Sequence, residues 1–357
     1  AATALKAVVE QQQRPWQIRL VNLQEVLDSL DVFRKVTGIR LEDIYNKMLA
    51  KGWTLGSVQG LKFMQGVIRR FHTEQVKLLT GYWSDDPPDM VVSLVPNFNR
   101  AMYQGLHGAD RKIPYVTILT DLADYPPHFW IERRQPKSSA EPVQSQYFIC
   151  GTDRAAQQAL SFGHPQSRVF KTSGMILRPK FYDPVRISVE DERAKLGLDP
   201  NTPTGIVLFG GQGSKAMIRI AQKLGKSGQR LQLILICGKN EALASKLRAL
   251  KLPIKTHVEG FTTEIPHFMR LADFFIGKPG PGSISEAIKM GLPVIIERNY
   301  MTLPQERYNA DWVRAHSVGI VVDSFREIDS AVAEMLSPGK LSGFQTSAAS
   351  IDNRAAF

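Results

Sequence analysis

Asp273-Phe-Phe-Ile-Gly-Lys-Pro-Gly-Pro-Gly-Ser-Ile-Ser-Glu286 reads as a strand, a Gly/Pro loop and the start of a helix. A short apolar run, a glycine–proline break and a helical stretch form the repeating unit of a parallel sheet. The chain repeats that unit. Around the quoted stretch, strand-like runs fall at 205–209 (Gly-Ile-Val-Leu-Phe), 231–237, 255–259, 292–296 and near 318–322. An earlier series falls at 17–21, 89–94, 114–119, 146–150 and 169–173. Near-continuous apolar strands separated by helices indicate parallel sheets covered on both faces. Two such series predict an α/β protein of two doubly wound, Rossmann-like domains. The boundary falls in Ile176-Leu-Arg-Pro-Lys-Phe-Tyr-Asp-Pro184, where two prolines and a shift in charge mark a linker. The expected domains are 1–178 and 179–357.

Composition agrees. A length of 357 residues suits about two domains of ~150 residues. With 43% hydrophobic and 22% charged residues, wholesale disorder is excluded. Cys150 and Cys237 each end an apolar run, and no Cys-x-x-Cys spacing occurs. They read as buried core thiols of a protein in a reducing compartment, with no metal site expected. Mean hydropathy is −0.17, and no ~20-residue apolar run predicts a transmembrane helix. Ala1–Arg14 does not read as a signal peptide. Instead the chain opens on a helix-forming run with Leu5, Val8 and Val9 on one stripe. A strand and loop should precede such a helix in an alternating α/β chain. The expectation is a fragment, lacking a first strand and Gly-rich loop and with its last helix truncated, since Asp352-Asn-Arg-Ala-Ala-Phe357 stops mid-pattern.

The net charge is +11, and the first 180 residues hold 23 basic against 16 acidic side chains. That balance points to nucleic acid, a lipid surface or phosphates. The charge is spread out and no aromatic–basic motif accompanies it, so no nucleic-acid partner is expected.

Three motifs carry chemistry. Leu208-Phe-Gly-Gly-Gln-Gly-Ser214 ends a strand just before a helix. Gly211, Gly213 and Ser214 can bring backbone N–H groups to an anion there, or simply make a turn. It is neither a Walker loop nor G-x-G-x-x-G, so ATP and NAD are not indicated. In the quoted stretch, Lys278, Gly280, Pro281, Gly282 and Ser283 precede a helix expected over Ile284–Met290. Gly280, Gly282 and Ser283 would present N–H groups and a hydroxyl to a pyrophosphate. Glu286, one turn in, could accept from sugar hydroxyls or only complement the helix dipole. The third motif, Leu303-Pro-Gln-Glu-Arg-Tyr-Asn309, offers Gln305, Glu306 and Asn309 to a hydroxyl-rich ligand, or is a solvated helix start.

Together with Gly260-Phe261 and Gly291-Leu-Pro-Val-Ile, these motifs resemble the donor-binding signature of glycosyltransferase family 28, closest to its monogalactosyldiacylglycerol synthase branch. That branch carries similar Lys-Ala-Gly-Pro-Gly-Thr-Ile-Ala-Glu-Ala and Gln-Glu-x-x-Asn runs. The likeness extends to Thr117-Ile-Leu-Thr-Asp121, Cys150-Gly-Thr-Asp-Arg154 and Gly174-Met-Ile-Leu-Arg-Pro179. The resemblance implies a GT-B fold, two Rossmann-like domains facing a cleft. It implies a UDP-sugar donor, no tightly bound cofactor or metal, and inverting transfer of a hexose to diacylglycerol. Carried over by position, Gly260 and Phe261 face the uracil. Gly211, Gly213, Gly280, Gly282 and Ser283 face the diphosphate, Glu286 the ribose, and Gln305 and Glu306 the sugar. Arg178 is a possible cleft contact. The family's proposed base, a histidine, belongs to a loop upstream of residue 1. Asp121 is left as a possible acceptor-orienting group, and His72 and His128 read as structural or exposed. Pro279 replaces the family's alanine and removes one backbone donor.

Residues 37–71 interrupt the α/β pattern with aromatic, Met and cationic residues. They read as an insertion packed on its own domain or as an interfacial membrane surface. With the resemblance, Trp53, Leu55, Phe63, Arg69 and Arg70 become candidates for contact with the acceptor and anionic lipid, on the cytoplasmic side of a membrane. Alternatives are an N-acetylglucosaminyltransferase on a polyprenyl-linked cell-wall precursor, a UDP-sugar epimerase, and a non-enzymatic anionic-membrane-binding protein.

Overall fold

The computed structural model describes residues 1–27, 57–133, 146–184 and 187–352. They fall into two units, Ala1–Ile176 with Leu303–Gln305, and Leu177–Thr302 with Glu306–Asn353. In the first, β1 (Val91–Ser93), β2 (Tyr115–Ile118), β3 (Gln146–Cys150) and β4 (Val169–Lys171) form a parallel sheet in that order. Helices His72–Asp85 and Asn99–Ala109 pack through Leu79, Trp83, Met102 and Leu106. Helix Asp153–Ser161 sets Ala155 and Ala159 against Phe148 and Cys150. Asn99 is a buried hub. Its amide donates to the carbonyls of Val95 and Trp130 at 3.1 Å, and its oxygen accepts from Tyr115 Oη at 2.8 Å.

The expected N-terminal helix is Ala2–Gln11. The strand expected at 17–21 does not form, and Leu20 and Val21 are exposed. A strand exists only as one side of a ladder, and no described strand pairs with this segment.

In the second unit six parallel strands run in the order β10-β9-β8-β5-β6-β7. They are β5 (Thr204–Leu208), β6 (Gln232–Ile236), β7 (Thr256–Glu259), β8 (Phe274–Gly277), β9 (Val294–Glu297) and β10 (Gly319–Val322). This is the doubly wound Rossmann order, whose winding reverses between β5 and β8. Side chains alternate across it. Ile206, Leu208, Ile234, Ile236 and Phe275 feed one core, while Val207, Leu233, Leu235, Phe274 and Ile276 feed the other. Both cysteines are buried, and burial pushes Cys150 up to about 12 and Cys237 up to about 11. Neither thiol is a nucleophile at neutral pH.

The β5–β8 pair is pinned at its start. Asp273 N–H donates to Thr204 O at 2.7 Å, and Thr204 N–H donates back to Asp273 Oδ2 at 2.7 Å. Buried Arg193 closes the corner, donating to Asp273 Oδ2, Leu271 O and Pro200 O at 2.9–3.0 Å. At the other end Leu208 pairs with Gly277. A Cβ on Gly277 would collide with Leu208 O and lie 2.6 Å from Phe275 Cζ. Gly277→Ala is therefore expected to cost about 1–3 kcal/mol. A urea midpoint equal to wild type would show that the two strand ends are not held this close.

Candidate functional site

The turns that follow β5 and β8 lie side by side at the reversal point, on the edge where open α/β sheets place ligands. After β5 the chain turns through Gly213, whose φ of +58° favours glycine. A Cβ there would strike Cys237 O at 2.7 Å. Gly213 N–H is spent on Gly210 O at 3.2 Å, and Ser214 Oγ accepts from Ala216 N–H at 3.2 Å. The turn is tied to the one after β6. Lys239 N–H donates to Gly211 O at 2.8 Å, and Asn240 Nδ2 donates to Gln212 O at 3.2 Å.

After β8, Gly280 N–H folds back onto Lys278 O at 2.8 Å, closing a tight turn about Pro279. This corrects the expectation that Gly280 offers its N–H to a ligand. The helix also begins earlier than expected, running Pro281–Lys289 with Gly280 as N-cap. Proline suits the first helical position because its missing N–H would lack an intrahelical acceptor anyway. The first backbone bond of the helix runs from Ile284 N–H to Gly280 O at 3.1 Å. Gly282 and Ser283 therefore carry N–H groups that the helix itself does not use.

The third motif folds against this turn. Lys278 Nζ lies 3.0 Å from Glu306 Oε1, and the Glu306 side chain is only 10% exposed against 45% for Lys278. Asn309 is fully buried on helix Arg307–Ala315. Its amide donates to Pro279 O at 2.7 Å, and its Oδ1 has no hydrogen-bond partner. The expected ligand residue is thus a strut under the Lys278–Gly280 turn. Gln305 sits half-buried in the single turn Pro304–Glu306.

Glu286 is half-buried, and burial pushes its carboxyl up to about 7, partly offset by the Arg178 guanidinium. Arg178 donates to Thr263 O at 3.2 Å and lies 5.8 Å from the Phe181 ring centre. Gly260 is buried, and its N–H donates to Glu259 Oε1 at 3.0 Å. Phe261 is 59% exposed, with Lys239 Nζ 5.4 Å from its ring centre. Beside it opens a cavity of about 640 Å³, lined by Glu259, Thr262, Phe268, Lys180 and Arg270 among others.

In the first unit Asp121 is buried and accepts from Trp130 Nε1 at 2.8 Å. Asp124, not singled out from sequence, is fully buried. It accepts from Trp130 N–H at 2.6 Å and His128 N–H at 3.0 Å, and burial pushes it up to about 6. Asp-Tyr-Pro-Pro is a turn signal that could have flagged it. His72 Nε2 pairs with Gln104 Oε1 at 2.7 Å, and His128 stacks on Phe162. Trp53 and Leu55 lie outside the described residues. Phe63, Arg69 and Arg70 fall on helix Ser57–Arg70, whose Met64 packs on the domain core. Arg69 and Arg70 are exposed.

Residues 205–354 match the glycosyltransferase family 28 C-terminal domain. The chain is 32% identical over 260 residues to monogalactosyldiacylglycerol synthase 1 of Arabidopsis thaliana, covering 70% of this chain and 46% of that protein. It is equally similar, with the same coverage, to a probable monogalactosyldiacylglycerol synthase of Glycine max. With Arabidopsis thaliana synthase 3 it shares 28% identity over 332 residues, 87% of this chain and 67% of that one. The chain thus spans about half the length of the first two relatives. Among solved structures, MurG of Acinetobacter baumannii superposes with a TM-score of 0.53 at 12% identity, over 76% of this chain and 72% of that one. The S. aureus MnaA–UDP co-structure gives 0.53 at 16%, over 81% and 79%. At such identities these two show the fold alone, the two-sheet α/β fold of GT-B proteins.

The Glu286 carboxyl has a measurable consequence. Its folded value of about 7 lies above its ordinary 4.5, so the native state binds more protons between the two. Stability therefore falls as pH rises through that window. Glu286→Gln is expected to flatten the fall, seen by urea unfolding at about pH 5 and about pH 7.5. An unchanged slope would place the carboxyl in water.

Proposed function

We infer the function from one premise: the chain belongs to glycosyltransferase family 28, and its relatives are monogalactosyldiacylglycerol synthases. From this we propose that it transfers a hexose from a UDP-sugar to the hydroxyl of diacylglycerol at a membrane surface, giving a β-glycosyl lipid. The observation that carries the reading is the meeting of two Gly-rich turns with the Lys278–Glu306 pair at the β5–β8 reversal point.

In this reading the diphosphate lies on the turn around Gly211 and Gly213 and on the N–H groups of Gly282 and Ser283. The helix dipole favours negative charge there. The uracil lies against Gly260 and exposed Phe261, and Glu286 accepts from the ribose. Gln305 and Glu306 accept from the hexose hydroxyls. Asn309 acts through Pro279, and Gly280 as a cap. Arg178 adds positive charge near Glu286. The acceptor hydroxyl oxygen attacks the anomeric carbon as the bond to the diphosphate breaks; UDP leaves with that bond's electron pair, the hydroxyl proton passes to a general base, and the configuration inverts. Preorganised N–H groups stabilise the charge that gathers on UDP.

No helix among the described residues is long and apolar enough to cross a membrane. We propose that the protein works peripherally, on the cytoplasmic face of a membrane. The basic surplus of the first 180 residues would attract anionic lipid at about 1 kcal/mol per well-placed cation. Arg69 and Arg70 are candidates for that contact. Asp121 is already bonded to Trp130, which favours a structural over an acceptor-orienting role.

The test is transfer from UDP-galactose, UDP-glucose and UDP-N-acetylglucosamine to diacylglycerol in anionic liposomes, with the lipid product separated and its anomeric linkage read by NMR. One β-linked glycolipid is expected, and Glu306→Ala should cut its formation about a hundredfold. UDP binding without a diacylglycerol product would overturn the acceptor and leave the polyprenyl-linked precursor to be tried. Liposome binding without UDP binding would leave a non-enzymatic membrane protein.

A further inference from the structure

Lys278 stands between two anionic demands. Its ammonium is 3.0 Å from Glu306 Oε1. Its Cε lies 3.3 Å from where a Cβ on Gly280 would be, and 3.9 Å from the same point on Gly210. The side chain therefore fills the gap between the two turns. Glu306 is nearly enclosed, whereas Lys278 is about half exposed. A carboxylate at that depth needs a compensating charge or several donors. Lys278 supplies the charge from a flexible four-carbon stem that can reorient without moving backbone.

We propose that Lys278 exchanges partners when the donor binds. Here it neutralises Glu306; with a nucleoside diphosphate on the turns it moves onto the phosphates and leaves the Glu306 carboxylate to the hydroxyls of the sugar. This rests on the donor reading above and adds to it an order of events. A diphosphate carries more negative charge than one carboxylate, so it competes for the same ammonium. Once the ammonium leaves, Glu306 is a nearly enclosed anion without a partner. Hexose hydroxyls are the donors that can satisfy it. Sugar recognition is thereby coupled to nucleotide recognition, and a free hexose meets a carboxylate that is already paired.

The exchange gives Lys278 and Glu306 opposite signatures on nucleotide binding, although each substitution breaks the same pair. Calorimetry with UDP, UMP and UDP-galactose on the purified protein reads them, with thermal unfolding as a check on folding. Lys278→Met is expected to weaken UDP about tenfold and to leave UMP near wild type, while Lys278→Arg restores most of the loss. Glu306→Gln should bind UDP several-fold more tightly than wild type, because the ammonium is released in advance. In the same variant the advantage of UDP-galactose over UDP should shrink. If both substitutions leave UDP affinity unchanged, or lower it equally, the pair is a static support and the exchange is wrong while the donor site stands. If wild type binds neither UDP nor UDP-galactose, the donor reading fails together with it.

Discussion

The corner built by Asp273 fixes what every later feature depends on, the register of β5 against β8. Its carboxylate holds Thr204 N–H on one strand and the Arg193 guanidinium from a preceding helix. Its own N–H returns to Thr204 O. Shifting one strand by a residue would send each alternating apolar side chain to the opposite face and break two cores at once. With the register set at the start of the strands, Leu208 and Gly277 must meet at their ends. The two Gly-rich turns then leave the sheet side by side. The site is the far consequence of an ionic corner that touches none of it.

Three buried or partly buried carboxyl groups show three ways of meeting the cost of enclosure. Asp124 is held by backbone N–H groups and still titrates near 6, because those bonds only partly offset burial. Glu306 is held by a movable ammonium. Glu286, with the Arg178 guanidinium as its main electrostatic relief within its unit, sits near 7. The first is a fixture that ties the turn at 124–130 together. The other two face side-chain cations rather than fixed backbone donors, which suits groups whose hydrogen-bond partners arrive with a ligand.

Much of the second unit was legible because its strands are uniformly apolar and its turns rich in glycine and proline. All six runs became strands, within two residues of the expected ends. What escaped the sequence was pairing. Gln17-Ile-Arg-Leu-Val has a strand composition but pairs with none of the described strands. Pro281 read as loop, although proline begins helices as readily as it ends them. Asn309 has the chemistry of a ligand residue, and only its burial against Pro279 reveals a strut. Lys278 and Glu306 are 28 residues apart, and no local pattern could have joined them. The lost Gly280 donor followed from Pro279, whose fixed φ shapes the fold-back.

The bond from Lys239 N–H to Gly211 O makes the turns after β5 and β6 a single body. Asn240 adds a second strap, and Lys239 in turn hovers over Phe261 beyond β7. Three successive crossovers of the sheet are therefore stitched along one rim. A visitor settling on that rim has little chain left to immobilise, so the entropy usually surrendered by floppy loops was already given up when the protein folded. Such a rim can receive a ligand without first being ordered.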